Sequence, residues 1–251
     1  MLDFLGIGAQ KAGTTWLYAQ LVRHPRIRFP RGKEAHYWDW VQAGRRPDDI
    51  DWYIRKFSGD EGFIQGEITP GYAVIEERYI RQIHSLNPDL RILFMLRNPL
   101  ERAWSAAQMG LADLLMTRKE ASDQWFIDVF NSEASLARGD YAATLSRWER
   151  VFSREQFLIL YYHELTENPR KLLADTAAHI GVDAEFFETL TEHELRRKIL
   201  PGAGFHFEKS YPLTEALAAE LRRLYRDKIL CLSRYLDRDL SVWLDIPTGQ
   251  P

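Results

Sequence analysis

Residues 4–16 read FLGIGAQKAGTTW, and the architecture of the chain can be worked out from this segment. Phe4 to Gly8 form an apolar run of strand length, and a helix is predicted from about Thr14 to His24, before Pro25. A strand that a short glycine-containing loop joins to a helix is the beginning of a βαβ unit. We therefore expect an α/β fold around a mainly parallel sheet.

The remainder of the chain continues this alternation of strands and helices. The run RILFML at 91–96 is apolar almost throughout, as expected for a strand buried on both faces. A helical insertion is expected around residues 110–150, and no repeat or linker divides the chain, so we predict one domain over residues 1–251. The other predicted segments are strands at Gly62 to Glu67 and Phe157 to Tyr161, and helices from near Leu100, over Pro169 to Ile180 and after Pro212.

The composition is that of an ordinary globular protein and excludes several classes. The 251 residues include 33 Lys and Arg against 36 Asp and Glu, so no basic field is available for wrapping nucleic acid. A single cysteine, Cys231, excludes an intramolecular disulfide and a four-cysteine zinc site. No apolar run approaches the roughly 20 residues that span a bilayer, and the N-terminal residues lack a basic leader region. These features predict a cytoplasmic protein.

The loop at residues 8–16 has the pattern of a phosphate-binding loop. Gly8 and Gly13 allow a tight turn in which backbone N–H groups point inward, and the helix that follows adds its positive dipole end. The pattern of nucleotide triphosphatases, G-x-x-x-x-G-K-[ST], is altered because Thr14 stands in the lysine position and the lysine is Lys11. We infer a site for an anionic nucleotide that needs no metal. The alternative is an ordinary turn with a solvated lysine.

A second anion-binding element is predicted at residues 97–105, RNPLERAWS. Arg97 follows the buried strand, where it would face the crevice that binds ligands in open α/β sheets. An arginine offers phosphate a bidentate contact, and Ser105, about two helical turns later, would add a hydroxyl. The alternative is a surface ion pair and a serine on a polar helix face.

Taken together, the two elements resemble those of the sulfotransferases that use 3′-phosphoadenosine-5′-phosphosulfate. Their 5′-phosphosulfate loop is G-x-x-K-x-G-T-T, and an arginine with a serine eight residues later grips the 3′-phosphate. The segments KEAHYW at 33–38 and GEITPGY at 66–72 are similar to K-E-x-H-[YF]-[FW] and E-K-[ST]-P-x-Y of the carbohydrate branch, which includes the heparan sulfate N- and 3-O-sulfotransferases. The resemblance implies a P-loop-like three-layer fold and sulfuryl transfer to a hydroxyl or amine, with release of 3′,5′-bisphosphoadenosine.

The resemblance also implies roles for individual residues. Lys11 would stabilise the leaving phosphate, and Arg97 with Ser105 would hold the 3′-phosphate. Lys209 is the nearest counterpart of a late lysine that covers this phosphate. The residues that would hold the 5′-phosphosulfate are Lys11, Ala12, Gly13, Thr14, Thr15 and Trp16.

The general base of the carbohydrate branch corresponds to Glu34. His36 is the rival, because a histidine takes up a proton near neutral pH, and it could instead bind the acceptor. Ile68 replaces the lysine of E-K-[ST]-P, which speaks against a highly anionic polysaccharide acceptor. A small molecule, glycan, lipid headgroup or natural product remains open as the acceptor. Aromatic residues near the same segment, among them Trp40 and Trp52, would stack on a ring or fill the core.

Two other functions fit parts of the sequence. The retained glycine spacing is compatible with a small-molecule kinase that uses a P-loop, although the displaced lysine and Arg97 argue against it. A non-catalytic nucleotide-binding module would bind the bisphosphate nucleotide and transfer nothing.

Overall fold

The computed structural model describes residues 1–30, 32–59, 62–197 and 211–249, and these fall into two compact units. The first unit comprises Met1–Leu96 with Ser146–Leu200, and the second comprises Arg97–Leu145 with Pro201–Pro251, each without its undescribed residues. The prediction of one domain stays a prediction. Among the described residues, no helix is long and apolar enough to cross a membrane.

A five-stranded parallel sheet forms the centre of the first unit. Its strand order is β2-β3-β1-β4-β5, so the strand that precedes the phosphate loop lies in the middle. All five residues of β1 are buried, because helices and neighbouring strands cover it on every side. The strands are β1 Phe4–Gly8, β2 Ile27–Arg28, β3 Ile64–Ile68, β4 Arg91–Leu96 and β5 Phe157–Tyr161.

Eight helices lie within the described part of the first unit. Most of their buried positions are apolar residues spaced three or four apart, as for Leu173, Ala177 and Ile180 in α10. The helices are α1 Thr14–Leu21, α2 Trp38–Gln42, α3 Ile50–Ile54, α4 Glu77–Leu86, α9 Glu164–Glu167, α10 Pro169–Ile180, α11 Glu185–Glu188 and α12 Glu192–Arg196. Short 3-10 helices occur at Arg55–Phe57, Pro70–Val74 and Arg154–Gln156.

The second unit is helical. Its longest helix, Glu215–Tyr235, buries one apolar face that includes Leu217, Leu221 and Ile229. The fully buried Arg102 donates to the carbonyl oxygen of Ser135 at 3.0 Å and so braces two helices of this unit. The helices are α5 Pro99–Asp113, α6 Asp123–Asn131, α7 Glu133–Arg138 and α13 Glu215–Tyr235, with a 3-10 turn at Ser241–Leu244, and α8 Tyr141–Trp148 continues along the chain into the first unit.

The sequence predicts most of these elements with their bounds. The bounds of β1, β4, β5 and α10 are confirmed, and Gly181 ends α10 in the left-handed conformation, as a glycine C-cap does. The helical insertion at 110–150 is confirmed by α6, α7 and α8. The third strand spans Ile64–Ile68 rather than Gly62 to Glu67; it begins later because Gly62 has a φ of 86° and belongs to a turn, and it extends one residue further.

Two predictions on the early elements need correction. The first helix ends at Leu21 rather than His24, because the His24 N–H bonds to the Leu21 carbonyl in a turn. The short β2 was not predicted, since two residues give no periodic pattern; it pairs with β3 at the edge of the sheet.

Candidate active site

The loop between β1 and α1 is held in an unusual backbone conformation. Lys11 has a φ of 67° and Gly13 a φ of 87°, both in the left-handed region. Glycine is required at position 13, since a Cβ there would overlap the side chain of Leu165 and lie 3.1 Å from the Tyr162 ring. A lysine in this region is strained by about 1–2 kcal/mol, a strain that tends to occur at functional positions.

The first turn of α1 presents backbone donors at the end of this loop. Gly13 is the N-cap and contributes no side-chain cap. The Trp16 N–H donates to the Gly13 carbonyl at 2.9 Å, and the Trp16 indole donates to the Leu195 carbonyl at 2.8 Å. Within the described residues, the N–H groups of Thr14 and Thr15 have no protein acceptor, as is usual at a helix start. Ala12, within the loop, is fully buried. This set of amides, hydroxyls and one lysine suits a phosphate or sulfate group.

The carboxyl edge of the sheet also positions the segment that follows β2. The Ile68 N–H donates to the Lys33 carbonyl at 2.7 Å, and the Thr69 N–H donates to the Gly6 carbonyl at 2.9 Å. Because β3 lies beside β1, both the phosphate loop and the Lys33 segment meet the same edge of the sheet. This edge is where open α/β sheets bind their ligands.

Three charged side chains form a hydrogen-bonded array in this segment. Glu34 Oε2 lies 2.7 Å from His36 Nε2, and Asp39 Oδ2 lies 2.8 Å from His36 Nδ1. Lys33 forms an ion pair with Glu34 Oε1. His36 has a φ of 50°, and its ring stacks on Trp40 with centroids 5.1 Å apart. Glu34 and His36 are each about 30% exposed, so an acceptor can reach them.

The two carboxylates fix the protonation of the histidine. Each ring nitrogen faces a carboxylate oxygen, so both nitrogens act as donors and the ring is an imidazolium. The hydrogen bond to Asp39, followed by the one to Glu34, raises the pKa of His36 to about 9. Burial alone would raise the pKa of Glu34, but the hydrogen bond from His36 and the charge of Lys33 hold it below its ordinary value. At neutral pH, Glu34 is therefore ionised and His36 carries two protons.

A second glutamate, the buried Glu67, holds the backbone of the segment that carries Glu34 and His36. Its carboxylate accepts from the Tyr53 hydroxyl at 2.5 Å, the Thr69 hydroxyl at 2.7 Å and the Ala35 N–H at 2.9 Å. It is 2% exposed, and burial raises its pKa. Glu67 therefore holds the backbone between Glu34 and His36 and does not reach the surface of the site.

The second predicted anion-binding element lies in the second unit. Arg97 donates from Nε to Glu101 at 3.0 Å, and its carbonyl accepts from the Tyr141 hydroxyl at 2.9 Å. Asn98 caps α5 through the Leu100 N–H, and Ser105 is half-buried on that helix. Whether Arg97 and Ser105 share a ligand with Lys11 stays a prediction. Lys209 lies outside the described residues.

Asp39 was not predicted from the sequence, and the sequence does not show which aromatic residues are buried and which are exposed. The only signal for Asp39 is its position three residues after His36, at the start of α2. Trp38 and Tyr53 are buried in the core, whereas Trp40 is 41% exposed. Among the described residues, no group of His, Cys, Asp and Glu is arranged to hold a metal ion.

The chain is similar along most of its length to proteins with sulfotransferase activity in their names. The family model described as Sulfotransferase domain matches residues 2–216. The bifunctional heparan sulfate N-deacetylase/N-sulfotransferase 1 of Caenorhabditis briggsae is 26% identical over 94% of this chain and 28% of that protein. The heparan sulfate glucosamine 3-O-sulfotransferase 6 of Mus musculus is 29% identical over 72% of this chain and 50% of that protein. The chain thus spans half or less of the length of these relatives.

A solved structure confirms the predicted fold class. The crystal structure of a sulfotransferase from Alicyclobacillus acidocaldarius superposes with a TM-score of 0.71 at 26% identity, over 98% of this chain and 99% of that chain. The resemblance found in the sequence, and the P-loop-like fold it implies, are both confirmed.

Proposed function

The chain belongs to the sulfotransferase domain family, and on that premise we propose that it moves the sulfuryl group of 3′-phosphoadenosine-5′-phosphosulfate to a hydroxyl or amine of an acceptor. The donor set of the β1–α1 loop fits this nucleotide, because it combines uncapped amides, two threonine hydroxyls and Lys11. When bound, the nucleotide supplies an activated sulfuryl group whose bridging oxygen leaves with the 5′-phosphate.

The loop residues bind the anionic end of the nucleotide. The amides of Gly13, Thr14 and Thr15 would hold its oxygens, with Ala12 and Trp16 shaping the loop around them. The Lys11 ammonium would stabilise the negative charge that develops on the leaving phosphate. Arg97 and Ser105 would hold the 3′-phosphate through a bidentate contact and a hydroxyl. Lys209 would add a further cation there.

Glu34 is the general base of this proposal. It is ionised at neutral pH and partly exposed, and it would take the proton from the acceptor as the acceptor oxygen or nitrogen attacks. His36 is a weaker candidate for the base because both of its nitrogens already carry protons. Its role is to orient Glu34 through the hydrogen bond from Nε2, while Asp39 holds the ring through Nδ1. The hydrogen-bonded Glu34–His36–Asp39 array, at the same sheet edge as the phosphate loop, is the observation that carries the proposal.

Labelled transfer tests the proposal. The protein is incubated with the ³⁵S-labelled donor and a panel of sugars, phenols, lipid headgroups and amines, and 3′,5′-bisphosphoadenosine binding is measured by calorimetry. Lys11→Ala should lower turnover at least about 100-fold, since it removes one preorganised charge from the leaving group. The matched control is Lys171→Ala, an exposed lysine paired with Asp175 on α10.

The outcomes separate the competing functions. Nucleotide binding without transfer to any acceptor would favour a non-catalytic module. Magnesium-dependent transfer from ATP would favour the kinase. If the unaltered protein neither binds 3′,5′-bisphosphoadenosine nor transfers the sulfuryl group to any acceptor, the proposed function is refuted.

A further inference from the structure

A buried tyrosine in the second unit holds the backbone of Arg97. The Tyr141 hydroxyl donates to the Arg97 carbonyl at 2.9 Å. Tyr141 is 2% exposed, so the hydroxyl itself is out of reach of a ligand. Burial raises the pKa of this hydroxyl, which therefore stays protonated and remains a donor near neutral pH. The bond is a fixed part of the folded unit.

Arg97 occupies a short irregular stretch of backbone. It follows β4 directly and precedes Asn98, the N-cap of α5. Asn98 is fixed from two sides, since its Nδ2 donates to the Trp243 carbonyl at 2.8 Å and its Oδ1 accepts from the Leu100 N–H at 3.0 Å. The bond from Tyr141 fixes the peptide group that joins Arg97 to Asn98. The backbone that carries the Arg97 side chain is thus held on both sides of this peptide group.

The far end of the Arg97 side chain is held by its own helix. Arg97 Nε donates to Glu101 Oε2 at 3.0 Å, one turn along the chain. A guanidinium contacts a phosphate through N–H groups in fixed directions, so the contact depends on where the backbone places the side chain. A displacement of about 1 Å in such a group can cost a factor of about 100.

The segment that carries Tyr141 is braced by helices of the same unit. Arg102, on α5, donates to the Ser135 carbonyl at 3.0 Å. Asp140, which precedes Tyr141, forms an ion pair with Lys228 on α13. Tyr141 therefore presents its hydroxyl from a segment that is tied both to α5, the helix that begins just after Arg97, and to α13.

We propose that Tyr141 is a positioning residue for Arg97 and that it thereby sets the preference of the site for a nucleotide with a 3′-phosphate. The hydroxyl acts through the backbone of Arg97 and does not touch the nucleotide. This inference rests on the role of Arg97 in the proposed function. Its consequence is selective, because loss of the hydroxyl weakens the contact to the 3′-phosphate and spares the contacts to the rest of the nucleotide.

Two nucleotides that differ only by the 3′-phosphate test the inference. They are 3′,5′-bisphosphoadenosine and adenosine 5′-monophosphate, and calorimetry measures the dissociation constant of each. The unaltered protein should bind the bisphosphate about 100-fold more tightly, the effect of a charge-assisted bidentate contact. Tyr141→Phe should lower this ratio about tenfold, entirely through weaker binding of the bisphosphate.

Kinetics give a second readout of the same variant. In labelled transfer, Tyr141→Phe should raise the KM for 3′-phosphoadenosine-5′-phosphosulfate about tenfold while kcat stays within about twofold, because the hydroxyl acts on binding of the donor and not on the reacting atoms.

A second tyrosine of the same unit is the matched control. Tyr225 is fully buried, and its hydroxyl donates to the Ser135 carbonyl at 3.0 Å, a bond of similar length that does not involve Arg97. Tyr225→Phe should lower the melting temperature about as much as Tyr141→Phe and leave the ratio of the two dissociation constants unchanged. If Tyr141→Phe does not fold, carbon NMR of Tyr141 Cζ in the unaltered protein replaces it. The signal should shift on binding of the bisphosphate and not of the monophosphate, and an unmoved signal overturns the inference.

Arg97→Gln shows whether the effect passes through the arginine. This variant should itself lower the ratio to about tenfold or less, since it removes the charged contact. Adding Tyr141→Phe to it should change the ratio by less than about twofold, because the side chain that Tyr141 positions is gone. A merely structural role for Tyr141 predicts the same loss in both backgrounds.

Failure of the inference and failure of the proposed function give different results. A ratio that survives Tyr141→Phe, an equal loss of affinity for both nucleotides, or additive effects in the double variant overturns the inference and leaves sulfuryl transfer intact. A ratio unchanged in Arg97→Gln also overturns it, because the 3′-phosphate would then not depend on Arg97. If the unaltered protein binds neither nucleotide and transfers nothing, the proposed function fails, and the inference fails with it.

Discussion

Glu34 and Glu67 lie at the same edge of the sheet, but their surroundings shift the pKa of the carboxyl group in opposite directions. Glu34 is partly exposed, pairs with two cations and has a lowered pKa. Glu67 is buried and has a raised pKa, and its hydrogen-bond donors in the described part of the chain are all neutral. One residue type is thus the proposed general base in one region and a buried anchor in the other, and the surroundings alone make the difference in pKa.

The largest effect is expected at the reactive glutamate. Glu34→Gln keeps the size of the side chain but cannot accept a proton, so turnover should fall about 10²- to 10⁴-fold, the usual contribution of a general base. Binding of 3′,5′-bisphosphoadenosine should be unchanged. The control is Glu77→Gln, a glutamate exposed to the same extent as Glu34 and paired with Arg81 on α4. Turnover close to that of the unaltered protein would move the base to another residue.

At the anchoring glutamate, the expected effect is on stability. Glu67→Ala leaves the buried hydroxyls of Tyr53 and Thr69 without their acceptor and opens a void, so the free energy of unfolding should fall by about 2–4 kcal/mol. Glu34→Ala should change it by much less. Urea denaturation followed by tryptophan fluorescence measures both. Equal losses in the two variants would remove the distinction between anchor and base.

The histidine between the carboxylates gives a pH dependence with a definite sign. If the imidazolium orients Glu34, log(kcat/KM) for a non-ionising alcohol acceptor should fall above pH 9 by one unit per pH unit, because the pKa of His36 is about 9. A neutral His36 acting as the base would instead raise the rate through pH 9. His36→Gln should abolish this alkaline limb, and His193→Gln, at an exposed position, should keep it.

The free energy of unfolding should also depend on the titration of His36. The pKa of His36 is raised from 6.5 in the unfolded chain to about 9 in the folded protein. Its stabilising contribution is therefore fully present below pH 6.5 and is lost as the pH rises through 9. Chemical denaturation of the unaltered protein and of His36→Gln over this range should show the two stabilities converging at alkaline pH.

The strands of the fold were predictable where a short, nearly unbroken apolar run in the sequence marks the whole strand. The strands Phe4–Gly8, Arg91–Leu96 and Phe157–Tyr161 are such runs, and each has the bounds expected of it. Ile27–Arg28 could not be predicted because two residues form a strand only through pairing with β3, a contact distant in sequence.

The candidate site divides in the same way. Glu34 and His36 belong to a segment that resembles a family motif, so their place at the site was predictable. The hydrogen bond from His36 to Asp39 was not, because it depends on a left-handed backbone conformation at His36 that the residue type does not predict. Arg46 and Lys56 belong to no motif, and their packing against the ring of Trp52 is visible only in the structure.

The smallest effect is expected at Gly71, which links the two regions. A Cβ at this position would overlap Asp39 Oδ2, the atom that accepts from His36. The φ of Gly71 is not in the left-handed region, so alanine fits the backbone and the strain falls on the flexible end of Asp39. Gly71→Ala should therefore leave folding almost unchanged and weaken the bond that contributes most to the raised pKa of His36.

The expected result is a displaced pH profile with little loss of activity near neutral pH. In Gly71→Ala the alkaline limb should begin at a lower pH than in the unaltered protein. A His36 pKa lowered by about one unit would reduce the imidazolium fraction, and with it the rate, by a few-fold at pH 9. NMR titration of the His36 ring protons gives the pKa directly, and Gly44→Ala, at a glycine with open space around it but a φ of 66°, provides a comparison for backbone strain without contact to Asp39. An unchanged pKa of His36 in Gly71→Ala would mean that Glu34, and not Asp39, keeps the ring protonated. The hydrogen bond that sets the protonation of the ring would then be the one between Glu34 and His36, and Asp39 would not contribute to it.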